Sequence, residues 1–238
     1  STGATSDAVI SAVSTASSTP VAYIRVNTKN ANGDAKPESV TATITGAGLL
    51  SFGGVSGSSM VLNMDGNDDI SVLPNGTAGV ATITISTPTA SFSPKTVTFY
   101  AKAAATLTAS VYNPVLKVGS NSSAVAVSAT DANGTVWAGT AYIYASAAAD
   151  ELIGGSATTP VACSYNSTYK VHFCPITTKA TGTAKFKVID AATVATANVT
   201  SNEVTVTVSN SAPTSVKLAF DKASYQPGEI ATLTISAT

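Results

Sequence analysis

Charge is scarce in this chain. Of 238 residues, 11% are charged, and the formal net charge is −1. Arg25 is the only arginine, and no basic run occurs. That excludes the electrostatic grip needed for nucleic acid or an anionic membrane surface. No apolar run approaches the roughly 18 residues of a spanning helix, so no membrane insertion is expected. A single histidine, His172, leaves no Ser/His/Asp set. No phosphate-cradling loop or glycosidase-like carboxylate pair is identifiable, so no catalytic residue is assigned. Sustained helical periodicity is also missing. Ser1 to Ser6 has neither a basic n-region nor an apolar h-region, as expected of a mature N-terminus or a segment boundary.

What is present is alternation. Val40-Thr41-Ala42-Thr43-Ile44-Thr45 and Val204-Thr205-Val206-Thr207-Val208 change character at every step. That is the period of a half-buried strand, with Val40, Ala42 and Ile44 facing inward. Phe186 and Val188 are expected to point in and Lys185 and Lys187 out. The chain also repeats itself. Thr130-Asp131-Ala132-Asn133-Gly134 has a counterpart in Lys29-Asn30-Ala31-Asn32-Gly33, with the two glycines 101 residues apart. Asn-Gly tolerates φ > 0 at both positions and so marks a tight turn between strands. Ile235-Ser236-Ala237-Thr238 matches Val127-Ser128-Ala129-Thr130, the lead into that passage, at an offset of 108. The expected organisation is residues 1–102, residues 103–211, and the opening strands of a third unit at 212–238. Roughly seven short strands per unit, with frequent turns, predict an all-β fold of tandem immunoglobulin-like β-sandwiches.

Thr130 to Gly134, Gly182-Thr183-Ala184 and Val204 to Thr207 resemble bacterial Ig-like domains of the invasin and intimin type. Unit one carries the same order in Asn30 to Gly33, Gly79-Val80-Ala81 and Thr96 to Phe99. Such domains recur in S-layer and other prokaryotic surface proteins. The resemblance implies a spacer or adhesion module with no catalytic residues. Two features go beyond the family pattern: a cysteine pair in unit two and an acidic loop in unit one.

Cys163 and Cys174 are the only cysteines. A hairpin of Val161 to Tyr165 with Lys170 to Cys174 places them opposite each other and allows a cross-strand disulfide. Two free buried thiols, or a metal site, are the alternatives. With His172 the thiols lack a fourth zinc ligand. In that register His172 faces Tyr165 and is read as a surface residue. Trp137 is read as core or junction packing. Asp65, Asn67 and Asp69 alternate as in the start of a calcium loop, but Gly76 stands where the closing Glu belongs. Calcium is the one cofactor considered; a solvated turn is the alternative. Asn75, Asn121, Asn133, Asn166 and Asn198 open Asn-x-Ser/Thr sequences and are candidate glycan sites.

These readings converge on a non-catalytic, extracellular cell-surface protein. Its expected role is a self-assembling subunit of a surface layer, sheath or filament, with copies of itself and other surface components as partners. The rival is the stalk of an adhesin, spacing a distal binding domain. Residues 214–238 are expected to be ordered by a neighbouring chain, by strand addition or by chain that continues.

Overall fold

The computed structural model describes residues 10–154, 159–210 and 216–237. Strands make up about 54% of the protein and helix about 4%. Unit one contains β1 (Ile10–Val13), β2 (Ala22–Val26), β3 (Glu38–Gly46), β4 (Leu49–Phe52), β5 (Val55–Gly57), β6 (Ser59–Met64), β7 (Asp68–Leu73), β8 (Gly79–Ser86) and β9 (Lys95–Tyr100). They form two sheets, ordered β1-β9-β8-β3-β6 and β2-β7-β4-β5. Val40, Ala42 and Ile44 of β3 are buried with Ile83, Val97 and Phe99, against Leu50, Ile70 and Val72 of the other sheet. Each fully buried side chain of this class contributes roughly 1.5–3 kcal/mol. β1 joins β9 in parallel, Ile10 opposite Val97.

Strand pairing organises two stretches of unit one, of which Ser51 to Ser59 reads from sequence alone as a Gly/Ser-rich loop. The Gly/Ser-rich stretch after Leu50 is not an open loop. It is a tight hairpin, Phe52 opposite Val55, turning on Gly53 and Gly54 at φ 57° and 83°. The strands flanking Asp65 to Asp69 do not pair with each other. β6 pairs with β3 and β7 with β2 and β4, so the acidic loop crosses from one sheet to the other.

Unit two contains β10 (Thr106–Val111), β11 (Val115–Lys117), β12 (Gly119–Thr130), β13 (Tyr142–Ala145), the helix α1 (Ala148–Gly154), β14 (Val161–Ala162), β15 (Ser164–Asn166), β16 (Val171–Thr178), β17 (Gly182–Ile189) and β18 (Val204–Ser209). Its sheets are ordered β10-β12-β16-β15 and β11-β18-β17-β13-β14. Phe186 and Val188 are buried with Val125, Val127, Ile143 and Ile176. β11 runs parallel to β18, as β1 does to β9.

α1 is a departure from the all-strand expectation, since Leu152 and Ile153 echo Leu49 and Leu50 of strand β4. The reason lies just upstream. Ala147-Ala148-Ala149 are strong helix formers, and Asp150 and Glu151 sit in the first turn, where the helix dipole favours negative charge. Unit one has Gly46-Ala47-Gly48 in that place, with Gly46 and Gly48 at φ 86° and 81°. At seven residues, about two turns, the helix is too short to show a period.

The remaining strands, β19 (Val216–Phe220) and β20 (Leu233–Ala237), form a two-stranded ribbon, Leu218 opposite Ile235 and Phe220 opposite Leu233. These four apolar side chains share one face of the ribbon and are all exposed, so the ribbon is not packed wholly into unit two. β20 starts at Leu233, three residues later than the alternation from Ile230 suggested.

Candidate functional site at the joint between the sandwiches

The repeated Asn-Gly passage builds the joint. In unit two Asp131 closes an Asx-type turn. Its Oδ1 accepts hydrogen bonds from the backbone N–H of Asn133 and of Thr135, both at 2.9 Å. Its backbone N–H donates to the Thr135 carbonyl, and the Gly134 N–H returns to the Asp131 carbonyl. Unit one repeats the geometry with Asn30, whose Oδ1 accepts from Asn32 and Asp34 N–H at 2.9 Å each. The two turns differ in what the second side-chain atom does. Asp131 Oδ2 accepts a 2.9 Å bond from the N–H of Ala101, the residue that follows β9 of unit one. Asp131 is accordingly 2% exposed, whereas Asn30 lies open to solvent. A buried carboxylate is tolerable because three backbone donors replace its water.

Aromatic rings complete the joint. Trp137, two residues past the turn sequence, is buried, and its indole N–H donates to the Lys102 carbonyl at 3.4 Å. Tyr100 at the end of β9 meets it edge-on at 6.4 Å. His172 lies 5.6 Å from Trp137 and 5.1 Å from Tyr165, and the Tyr165 hydroxyl bonds to the Ser11 side chain of β1. Gly139 has a steric role: a Cβ there would sit 2.2 Å from the Trp137 ring. Burial, and secondarily repulsion from Tyr165, pushes the Tyr100 hydroxyl above its usual pKa.

His172 corrects the sequence reading. It does pair with Tyr165, but it is 1% exposed rather than a surface residue. Its position in β16 alternates with Cys174 and Ile176 on the inner face, which a period of two places inside whatever the side chain's polarity. Nε2–H donates to the Gly139 carbonyl at 2.7 Å, and Nδ1 has no hydrogen-bond partner. Burial pulls the imidazole pKa below its ordinary value, opposed by the Gly139 and Val127 backbones. It is therefore a neutral packing residue.

Cys163 and Cys174 are joined by a disulfide, with Cα atoms 4.2 Å apart. The surrounding hairpin is shorter than the sequence suggests. Only Ser164 to Asn166 pairs with β16, while Val161 and Ala162 pair with β13 in the opposite sheet. The Cys163 N–H also donates to Ala141 in the strand-β13 region. The disulfide thus straps a sheet-to-sheet crossover beside His172.

In the acidic loop Asp69 lies opposite Arg25 of β2. Arg25 Nε and Nη2 donate to Asp69 Oδ1 and Oδ2 at 2.9 and 2.8 Å, a bidentate pair that spends both carboxylate oxygens. That hydrogen bonding raises the Arg25 pKa further. Asp68 Oδ2 accepts from the Asp65 N–H. Among the described residues no three His, Cys, Asp or Glu side chains gather as a metal site. Arg25 carries no sequence signal for this partner, since the two lie 44 residues apart and meet only through β2–β7 pairing. Among the described residues no helix is long and apolar enough to cross a membrane.

No protein-family model matches the chain, and no curated protein matches it. Solved structures do. Among them are bacterial Ig-like domain proteins, matched at low TM-scores. Invasin, described as a bacterial integrin-binding protein, is 16% identical over 97% of this chain, with a TM-score of 0.33; the chain spans 45% of that structure. The Escherichia coli adhesin FdeC is 18% identical over 90% of this chain and 67% of its own, at 0.35. Domains 5–6 of the S-layer protein SbsC are 18% identical over 86% of this chain and 94% of their own, at 0.28.

Proposed function

We propose that this chain is an extracellular structural segment that assembles with copies of itself into a cell-surface layer, sheath or filament. The joint carries the reading. Its buried Asp131–Ala101 bond and packed rings fix one sandwich on the next, which a repeating assembly requires and a catalytic module does not. The disulfide supports an oxidising, extracytoplasmic location. Low net charge supports close approach of identical surfaces, because copies do not repel. The second reading is an adhesin stalk, favoured by the open ribbon. There the apolar face of β19 and β20 would be covered by following chain rather than by another copy.

Sedimentation velocity across a concentration series, with electron microscopy of the same samples, separates the two. Ordered oligomers that grow with concentration support assembly. An extended monomer at every concentration refutes it and favours the stalk.

A further inference from the structure

The five Asn-x-Ser/Thr sequences differ in what their amide groups are doing. N-glycosylation uses the side-chain nitrogen, so an acceptor needs Nδ2 free of protein partners. Asn75 fails this: Nδ2 donates to the Gly48 carbonyl while Oδ1 accepts from the Gly48 and Thr77 N–H groups. Asn121 fails more completely, with Nδ2 directed at the carbonyls of Lys117, Gly119 and Ile176. Asn198 turns Nδ2 toward Asp190 Oδ2. Asn133 is exposed, but the N–H of Thr135, two residues on, belongs to Asp131.

Asn166 alone combines the required features. Its Oδ1 accepts from the N–H of Thr168 at 3.0 Å and of Tyr169 at 3.1 Å. This Asx turn folds the sequon hydroxyl residue back against the amide and leaves Nδ2 unpartnered. Thr168 is exposed.

A second observation concerns the surface beside it. Tyr169 and Tyr112 are 69% and 55% exposed, and Phe173 lies between them, 6.1 Å from one ring and 4.9 Å from the other. Ser164 is opposite Phe173, and residues alternate along β15. Asn166 therefore shares the outer face with Phe173, while Tyr165 faces inward to His172. Lys170, in the same turn, has φ 56°, and among the described residues it is the only non-glycine with positive φ.

We propose that Asn166 is the acceptor of an N-linked glycan whose first sugars lie over Tyr169 and Phe173. In the transfer, Asn166 Nδ2 attacks C1 of the first sugar of a lipid-linked oligosaccharide. The C1–N bond forms as the C1–O bond to the lipid phosphate breaks. One amide proton passes to the transferase's base, the lipid phosphate departs, and no oxidant or reductant is needed. The C–H face of the sugar then covers rings that are otherwise wetted.

The test treats the folded 238-residue chain with a single-subunit oligosaccharyltransferase that reads Asn-x-Ser/Thr, supplied with lipid-linked oligosaccharide, and maps the product by peptide mass spectrometry. The expected result is a glycan on Asn166, at least tenfold more occupied than on Asn75 or Asn121. Thr168→Val should abolish it and Thr168→Ser retain it. Bare Asn166, or equal occupancy at Asn75 and Asn121, overturns the proposal. In NMR spectra of the product, protons of the first sugar should shift upfield and return in Tyr169→Ser; unshifted sugar protons overturn the docking on the rings. Asn166→Gln, circular dichroism unchanged, is the negative control.

Discussion

Replacing Asp131 by Asn isolates the joint from the turn that carries it. Asparagine keeps one carbonyl oxygen, which can still accept from Asn133 and Thr135 as Asn30 does in unit one. The other atom becomes an NH2 facing the Ala101 N–H, donor against donor. One charge-assisted hydrogen bond is lost and a part-buried N–H is left unpaired. Bonds to charged groups are worth about 1.5–3 kcal/mol net, so the sandwich-to-sandwich coupling should fall by that amount, roughly ten- to a hundredfold. Both sandwiches should remain folded, because their cores lie elsewhere. Spin labels placed on β3 and β17 would report the distance distribution between units by double electron–electron resonance. The expected outcome is a narrow distribution in the parent chain and a broadened one in Asp131→Asn. Asp131→Ala should broaden it too, and should also lower the melting temperature of unit two by removing the turn's acceptors. An unchanged distribution in Asp131→Asn would refute the argument that this bond fixes the joint.

Gly139→Ala should displace the Trp137 ring, since the new Cβ falls within 2.2 Å of it. Overpacking of this kind costs about 1–3 kcal/mol, and the emission of the sole tryptophan should shift to the red. Cys163→Ala with Cys174→Ala should lower stability by about 3 kcal/mol, read from denaturant midpoints, because the bond closes a loop with a sequence separation of 11. The buried His172 predicts a pH dependence. Its folded-state pKa lies below the ordinary 6.5, so the unfolded chain binds the proton first. Its contribution is intact above pH 6.5 and is lost as pH falls toward the folded value. Melting temperatures between pH 7.5 and 5 should therefore drop more in the parent chain than in His172→Phe.

The strands were legible where one face alternates. Val40, Ala42 and Ile44 are buried as their spacing demands, and Phe186 and Val188 likewise. The turns at Gly33 and Gly134 were legible as turns but not in type: only the glycines take positive φ, at 88° and 76°, while Asn32 and Asn133 do not, and the side chains of Asn30 and Asp131 close them. Which strand joins which sheet was not legible. β6 and β7 flank Asp65 to Asp69 in sequence, yet β6 pairs with β3 and β7 with β2 in the other sheet. The joint was half visible. The repeat drew attention to Asp131, but its burial depends on Ala101 arriving from the other unit. The Asp69–Arg25 pair was invisible for the same reason. His172 was misplaced because its chemistry outweighed its position in an alternating strand.

The parallel pairing of β1 with β9 has a mechanical consequence. A pull that enters unit one at Ile10 and leaves at Tyr100 acts along both strands in opposite senses. The ladder between them is loaded in shear, so its hydrogen bonds must yield together instead of unzipping one by one. A chain exposed to flow or traction would thus resist extension at the seam where its first described strand meets the last strand of the same sandwich.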